Sequence, residues 1–523
     1  MPGLPSILPQ PTSLSLRPET WRGGDTLTLS FDPGLERQAS LLADYLKNEN
    51  QVTTQAAAGG ALHLSLALTP RPLPANQAAA GFMDEAYRLT VTPENILIEG
   101  ASPAGVACGI QSLRQLLSGQ RAPLTLPALV VEDRPAMAWR GLHLDVSRHF
   151  RTAEDVRRFI DLAALHKFNV FHWHLTDDQG WRLPVEGYPR LTETAAWRDG
   201  TLIGHQDQPP QERYDGVRHG GYYTHEEIRG VVDYAAARGI HVLPEVDLPG
   251  HVQALITAYP EFGNSGQAPG VRQRWGISPH TLNLEPATFA FLERLVDTVA
   301  GLFPFHYLHF GGDEALVGEW EASPRIQEHK RALGLPDDHA VQGYFTRRIH
   351  EMATRHGRAM IGWDEIIERN EPPHEVAVMS WRDSYKLATP PHLKALQGGH
   401  PLVLASCSMT YFDAYQAEGE AKTREPLAIG SFISWEKVYA WQPLADIPAA
   451  QQAGLLGAQA QLWAEYIPTC AHLDYMAYPR ACALAQVLWT GTAREPLAAF
   501  RPRLEHHLAR LGRLGVSYRP LSP

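Results

Sequence analysis

Residues 168–178 read Phe-Asn-Val-Phe-His-Trp-His-Leu-Thr-Asp-Asp, a short apolar run that ends in a cluster of polar side chains. Such a run is typical of a buried strand in a parallel sheet, where both faces are covered. An amphipathic segment over 153–166 precedes it, and Thr152 in front of that segment is a typical N-cap of a helix. Apolar runs and amphipathic segments alternate from Trp139 onward, which predicts parallel strands covered by helices.

The number of these apolar runs indicates the kind of sheet. There are eight, with helical stretches between most of them; the stretch 226–237 begins with Thr224 and Glu227 spaced as a capping box. Eightfold alternation predicts an α/β fold, the (β/α)8 TIM barrel, in which functional side chains lie at the carboxyl ends of the strands. The predicted strands are 142–146, 168–174, 240–244, 306–310, 359–363, 376–381, 401–406 and 455–462.

The chain before the barrel has a different pattern. Residues 61–68 alternate as a strand does, and residues 86–99 predict two strands around a turn. A helix is predicted from near Ser102 and Pro103 to Leu117, because proline is favoured in the first helical turn. Strands followed by a helix indicate a small α+β domain.

A proline-rich segment over 120–136 predicts the boundary between the two parts. We therefore expect a non-catalytic α+β domain over residues 1–136 and a catalytic barrel with a C-terminal helix over residues 137–523. The polar stretch 188–223, between the second and third predicted strands, is interpreted as a loop insertion at the active site.

Composition and charge exclude several classes of partner. The chain has 523 residues, of which 44% are hydrophobic and 20% charged, values that are typical of a globular protein. Its formal net charge of −11 argues against binding to nucleic acids or anionic membranes, which select for clustered Lys and Arg. A small neutral or cationic ligand fits this charge better. The oligomeric state stays open.

The amino terminus and the cysteines indicate a compartment. Residues 1–10 contain no basic or apolar leader, and nowhere do about 18 apolar residues follow one another. We therefore expect a cytoplasmic enzyme; the same start would be seen if a leader had been removed. The cysteines lack the spacing of metal ligands or of a disulfide framework, and we expect small buried residues at all four positions: Cys108, Cys407, Cys470 and Cys482.

Two adjacent acids follow two glycines in residues 309–314, His-Phe-Gly-Gly-Asp-Glu, at the end of the fourth predicted strand. Glycines allow the backbone to approach a bulky ligand. Glycoside hydrolysis needs one acid to protonate the leaving oxygen and a second group to stabilise positive charge at the anomeric carbon. The charge of Asp313 would help to keep Glu314 protonated. The alternative is an ordinary strand end whose acids cap a helix.

Four ordered motifs resemble those of glycoside hydrolase family 20. They are Trp139-Arg140-Gly141 with residues 145–150, then residues 172–178, 244–251 and 311–314. The similarity extends over nearly the whole chain, including the amino-terminal domain and the last helix. It implies an exo-acting, retaining β-N-acetylhexosaminidase that removes terminal β-linked N-acetylglucosamine or N-acetylgalactosamine from small glycans, with no metal or other cofactor.

The resemblance also implies a mechanism in which the substrate assists its own hydrolysis. The acetamido carbonyl oxygen attacks the anomeric carbon and forms an oxazolinium intermediate, while Glu314 protonates the leaving oxygen and later acts as base on water. Asp313 orients the acetamido N–H and offsets the charge that develops. Asp177 and His251 support Glu314.

The substrate contacts that the resemblance implies surround a single sugar. Arg148 would bind the O3 and O4 hydroxyls with its planar fork, Tyr411 the acetamido oxygen, Asp413 the O6 hydroxyl and Glu465 the O4 hydroxyl. Such a closed set of polar contacts suits a chain end, which is why exo action is expected. The sequence does not choose between the two sugars, which differ only at C4.

Four tryptophans are implied to complete this pocket, because aromatic faces contact the apolar faces of sugars and can enclose an acetamide methyl group. Trp363, Trp381 and Trp463 are assigned to the methyl pocket, and Trp435 to the leaving-group side. Without the family pattern each of them would be interpreted as a core residue.

Two rival functions are open at this point. A metal-dependent hydrolase would use His172 and His174, which share one face of a strand, with Asp177 or Asp178 as a further ligand. A catalytically silent sugar-binding protein would retain the pocket without turnover, although the intact pair Asp313 and Glu314 argues against it.

Overall fold

The computed structural model describes residues 6–56, 63–207, 212–368 and 372–521. Two sheets follow one another along the chain. The first is a mixed sheet of seven strands, and the second is a closed barrel of eight parallel strands that a two-residue strand, Gly180–Trp181, extends. The predicted fold class, a (β/α)8 barrel preceded by a small α+β domain, is confirmed.

The amino-terminal sheet is covered on one face by the helices Glu36–Asn50 and Pro103–Leu117, which contribute to its apolar core. The predicted helix is confirmed, and the Ser102 side chain caps it by accepting a hydrogen bond from the Gly105 backbone N–H. Positions 61 and 62 of one predicted strand lie outside the described residues. In spatial order the strands are Ser13–Gly23, Leu124–Asp133, Tyr87–Val91, Asn95–Gly100, His63–Leu68, Thr26–Phe31 and Thr53–Ala56.

All eight predicted barrel strands are present, and each pairs in parallel with its neighbours. The eighth strand pairs with the first, which closes the barrel. In chain order the barrel strands are Trp139–Asp145, Val170–Asp177, His241–Val246, Tyr307–His309, Ala359–Trp363, Ala377–Ser380, Leu402–Leu404 and Leu455–Ala460.

Helices around the barrel begin where the sequence predicts. Thr224 and Glu227 form a capping box at the helix His225–Ala237, because each side chain accepts a hydrogen bond from the other's backbone N–H. Among the described residues no helix is long and apolar enough to cross a bilayer. The other helices after residue 136 are Ala153–Leu165, Arg190–Glu193, Gln253–Ala258, Pro286–Leu302, Gly318–Ala322, Pro324–Ala332, His339–Arg355, Pro391–Gln397, Gly419–Lys422, Trp435–Ala440, Cys470–Ala477, Arg480–Thr490 and Leu497–Arg513.

The interior of the barrel changes from apolar to polar along its axis. Near the amino-terminal ends of the strands, Trp139 and Tyr307 pack with Phe305. Nearer the carboxyl ends, neighbouring strands place His174 in register with Glu245 on one side and Asp145 on the other. Buried ionisable groups therefore lie beneath the open face of the barrel, where sites of this fold are found.

The cysteines only partly follow the expectation. All four are free, as predicted, and Cys108 and Cys482 are buried. The expectation of burial is wrong for Cys407 and Cys470, which are partly exposed. Cys407 lies in the loop after the strand Leu402–Leu404, and Cys470 begins the helix Cys470–Ala477.

Candidate active site

The two adjacent acids lie directly after the fourth barrel strand, where two glycines change the direction of the backbone. Gly311 and Gly312 have φ angles of 59° and 99°. A Cβ atom on Gly311 would lie 1.7 Å from the Asp247 Oδ1 atom, so only glycine fits there. The Gly312 N–H in turn donates to Asp247 Oδ1 over 3.2 Å. The close approach of the two strand ends explains why glycines precede Asp313.

A cavity of about 570 Å³ lies at this end of the barrel, a size suited to a small ligand. Its lining residues come from loops that follow different strands, as is typical of this fold. It brings together ten of the twelve predicted site residues: Arg148, Asp177, His251, Asp313, Glu314, Trp381, Tyr411, Asp413, Trp463 and Glu465.

Glu314 lies beside a buried histidine. The His251 Nε2 atom is 3.4 Å from Glu314 Oε2 and 3.7 Å from Asp313 Oδ2. On its other side, His251 Nδ1 lies 3.2 Å from Asp177 Oδ1. Both His251 and Glu314 have left-handed backbones, with φ angles of 52° and 50°. Such strain in residues other than glycine is typical of functional sites.

Asp313 is less exposed than its neighbour. Burial raises the pKa of Asp313, and Glu314 raises it further, whereas His251 opposes this effect. Behind it, burial and then the charge of Asp313 raise the pKa of Asp247 well above its ordinary value. This shift favours the protonated form of Asp247, which can donate a hydrogen bond to Asp313 and so lower the pKa of Asp313.

Asp177 and Arg148 form a buried ion pair on the wall of the cavity. Arg148 Nη2 lies 2.8 Å from Asp177 Oδ2, and Nη1 lies 3.1 Å from Asp145 Oδ2. Burial disfavours the ionised form of Asp177, but Arg148 and then His251 outweigh it and hold the pKa well below its usual range. The Arg148 Nε–H donates to Gln179 over 3.0 Å, which fixes the plane of the guanidinium group.

Aromatic rings form another part of the wall. The rings of Trp381 and Tyr411 are stacked with centroids 6.0 Å apart, and Tyr411 lies 6.3 Å from Trp463. Trp363 is buried behind Trp463, with centroids 5.8 Å apart, and does not border the cavity. Its indole N–H donates to Glu245 over 2.7 Å. Trp363 thus supports the aromatic wall from behind.

The placement of Trp435 on the leaving-group side is wrong. This residue begins the helix Trp435–Ala440, is buried in the main core and packs near Phe500 at a centroid distance of 6.2 Å. It does not border the cavity. Its apolar surface is covered by a neighbouring helix, which is the ordinary environment of a core tryptophan.

Two further acids, Asp413 and Glu465, line the cavity. Burial and then the nearby Glu465 raise the pKa of Asp413 to about 8. Glu465 Oε1 lies 3.8 Å from Arg148 Nη1, and burial raises the pKa of Glu465 although Arg148 opposes this effect. The pKa of Asp413 is therefore near neutrality and that of Glu465 is raised above its ordinary value. A carboxylate oxygen accepts a hydrogen bond from a sugar hydroxyl, and a protonated carboxyl can also donate one.

The geometry argues against a metal at the pair His172 and His174. The Gln459 side-chain amide donates to His172 Nδ1 over 2.9 Å, because its oxygen accepts from Trp139 Nε1–H. His172 therefore carries its hydrogen on Nε2, 3.1 Å from a Glu245 oxygen. Both nitrogens of His174 are engaged by carboxylates. Neither imidazole presents a free lone pair to a cation.

Sequence reasoning missed most loop residues of the cavity. Gln206 lies in the stretch 188–223, which the sequence predicts to be a loop insertion at the active site. The other loop residues of the cavity follow no periodic pattern. They are Gly276, Ile277, Ser384, Tyr385, Cys407, Ile429 and Ser431. Asp247 could have been found from the sequence, because it lies in the motif 244–251, two residues after Glu245.

A closed (β/α)8 barrel, a ligand-sized cavity at its carboxyl face, adjacent acids and an aromatic wall together define the barrel class of glycoside hydrolases. The profile of "Glycosyl hydrolase family 20, catalytic domain" matches residues 137–492, and that of "Glycosyl hydrolase family 20, domain 2" matches residues 4–134. The chain belongs to glycosyl hydrolase family 20.

Several known proteins and structures are similar to this chain. A β-hexosaminidase of Porphyromonas gingivalis is 35% identical over 98% of this chain, which spans 64% of the length of that protein. A β-N-acetylhexosaminidase of Cellulomonas fimi is 31% identical, covering 98% of this chain and 95% of that protein. The structure of an exo β-N-acetylglucosaminidase from Vibrio harveyi has a TM-score of 0.83 at 30% identity, covering 100% of this chain and 80% of that one.

Proposed function

We propose that the protein is an exo-acting, retaining β-N-acetylhexosaminidase that removes terminal β-linked N-acetylglucosamine or N-acetylgalactosamine from the non-reducing ends of small glycans. The observation that carries the proposal is the adjacent pair Asp313 and Glu314 in a cavity with an aromatic wall. The names of the relatives support this activity, and the Vibrio harveyi relative has been solved in complex with N-acetylglucosamine.

Asp313 is suited to direct the acetamido group of the substrate. Among the described residues, no group donates a hydrogen bond to its buried Oδ1 atom. We expect this atom to accept the acetamido N–H, which turns the carbonyl oxygen toward the anomeric carbon. Attack by that oxygen forms the cyclic oxazolinium ion, and the carboxylate offsets the positive charge that develops.

Glu314 is suited to move the proton. Its side chain is more exposed than that of Asp313, with 30% against 13% accessible, so it can reach the glycosidic oxygen. It donates a proton as the bond to the leaving group breaks, and it takes a proton from the water that opens the oxazolinium ring. Two displacements at one carbon give retention of configuration.

The other lining residues suit a single terminal sugar. Trp381, Tyr411 and Trp463 would enclose the acetamido group, with the Tyr411 hydroxyl on its oxygen, while Trp363 supports the wall. Arg148 and Glu465 would bind hydroxyls at O3 and O4, and Asp413 would bind O6. Partners for the O3, O4 and O6 hydroxyls of one sugar would leave no room for a further sugar attached there, which favours exo action.

We also propose that residues 137–523 are the catalytic unit and residues 1–136 a non-catalytic support. Every described residue that borders the cavity lies between positions 148 and 465. The last strand of the first sheet ends at Asp133, and the first barrel strand begins at Trp139.

Hydrolysis of a nitrophenyl N-acetyl-β-glucosaminide tests this function. We expect turnover with release of nitrophenol, unchanged after treatment with a chelator, because no step requires a cation. Loss of activity on chelation would favour a metal-dependent hydrolase. Binding of the sugar without any turnover would identify a silent binding protein.

A further inference from the structure

A chain of buried ionisable side chains continues beyond His251 into the barrel. His174 Nε2 lies 2.8 Å from Asp177 Oδ2, and His174 Nδ1 lies 2.6 Å from Glu245 Oε2. Together with the contact of His251 to both Asp177 and Glu314, these contacts connect the second and third barrel strands to the cavity. The chain runs from Glu245 through His174, Asp177 and His251 to Glu314.

His174 is fully buried, and each of its ring nitrogens faces a carboxylate oxygen. Burial lowers the pKa of His174, but Glu245 and then Asp177 outweigh it and raise the pKa well above its ordinary value. Histidine with both nitrogens bonded to carboxylates is the doubly protonated form, since both must donate. A fixed positive charge therefore lies behind Asp177.

The two oxygens of Asp177 have different partners. Oδ2 accepts a hydrogen bond from His174 and forms an ion pair with Arg148, each over 2.8 Å, whereas Oδ1 faces His251 and accepts from the Asp178 backbone N–H. The two cations on Oδ2 fix the rotation of the carboxylate. Oδ1 is thereby aimed at His251 Nδ1, so that His251 Nε2 is directed at Glu314.

Resting on the proposed function, we propose that His174, held between Glu245 and Asp177, is a positioning residue for the catalytic acid Glu314. It acts through Asp177 and His251 and does not touch the substrate. Its loss should impair proton donation to the leaving group and leave the sugar contacts of the cavity in place.

Other titratable groups face this series of buried side chains and contribute to any dependence of activity on pH. His174 is also faced by Asp145 and by the rings of His143 and His172 from the first and second strands. The remaining groups that face His251 or Glu314 are Asp178, Asp247, Asp313 and Tyr385. All of these are retained when His174 alone is changed.

Leaving-group dependence separates positioning from a purely structural role. A dinitrophenyl leaving group needs little protonation, whereas the sugar hydroxyl released from di-N-acetylchitobiose needs a proton from Glu314. For His174→Gln we expect kcat/KM to fall about 10-fold or more on the disaccharide, a part of the 10²–10⁴ that general acids supply. On the dinitrophenyl glycoside we expect little change. Removal of a buried positive charge disfavours ionisation of the catalytic acid Glu314. The alkaline limb of the dependence of kcat/KM on pH should therefore move to higher pH in this variant.

His172→Gln is the matched control. His172 lies two residues away on the same strand, is equally buried and also contacts Glu245, but its ring nitrogens face Gln459 and Glu245 and not Asp177. Any loss in this variant should be equal for the two substrates. Glu245→Gln is isosteric and should reproduce the leaving-group dependence even where His174→Gln fails to fold.

The outcomes are distinguishable. If the wild type is active but His174→Gln loses equal activity on both substrates, or keeps the pH profile of the wild type, the positioning role is overturned. The proposed function is then left intact. A wild type that cleaves neither substrate overturns the proposed function, and the positioning role with it.

Discussion

Glu314→Gln is expected to lose about 10²- to 10⁴-fold in kcat on glycosides with poor leaving groups, because the proton donor is removed while the shape of the cavity is kept. KM should change little. With a dinitrophenyl leaving group the loss in kcat/KM should be much smaller, since that group departs without a proton and kcat/KM does not include the later step in which Glu314 acts as base. Steady-state kinetics on the two substrates measures this difference.

Glu321→Gln is a suitable control for this variant. Glu321 is an exposed residue of the helix Gly318–Ala322, seven positions along the chain, and the same chemical change there should leave both rates unaltered. Rates like those of the wild type in Glu314→Gln on a poor leaving group would show that another residue is the acid.

Asp313→Asn is expected to slow formation of the cyclic intermediate by about 10²- to 10³-fold, the cost of removing one preorganised electrostatic partner of a transition state. Unlike the change at Glu314, this loss should appear with every leaving group, because the acetamido group must attack in each case. The thiazoline analogue of the intermediate should inhibit the wild type and Glu314→Gln. It should bind more weakly to Asp313→Asn.

The raised pKa of Asp313 gives a prediction for the acid limb of the dependence of kcat/KM on pH. Burial raises its pKa, and the proposed role needs the ionised form, so kcat/KM of the wild type should begin to fall at a higher pH than for an ordinary aspartate. This limb should be absent from Asp313→Asn. Equal inhibition of wild type and Asp313→Asn by the thiazoline would contradict the assigned contact.

The fold was largely predictable because each barrel strand buries an apolar run. The run predicted at 306–310 is the strand Tyr307–His309, for example. The strand Leu124–Asp133 was hidden, because its Pro127 suggested a linker. Pro127 pairs with Thr20 beside an irregularity of the neighbouring strand, a position where proline is tolerated within a sheet.

The placement of a residue at the cavity was predictable where it lies a few positions after a strand, as Arg148 and Glu314 do. The position of Trp435 could not be predicted, because the sequence does not distinguish a tryptophan that is buried against a helix from one that faces a ligand. Tyr385 lies on a loop without periodicity. The contact of His174 with Glu245 spans 71 positions and depends on strand register, which the sequence pattern does not contain.

The central claim is that the sugar's own acetamido group performs the displacement. It is tested most directly by comparing the nitrophenyl β-glycosides of N-acetylglucosamine and of glucose, which differ at C2. We expect the acetamido substrate to exceed the glucoside by more than about 10³-fold in kcat/KM, because an internal nucleophile supplies a very high effective concentration. Comparable rates on the two glycosides would contradict the claim.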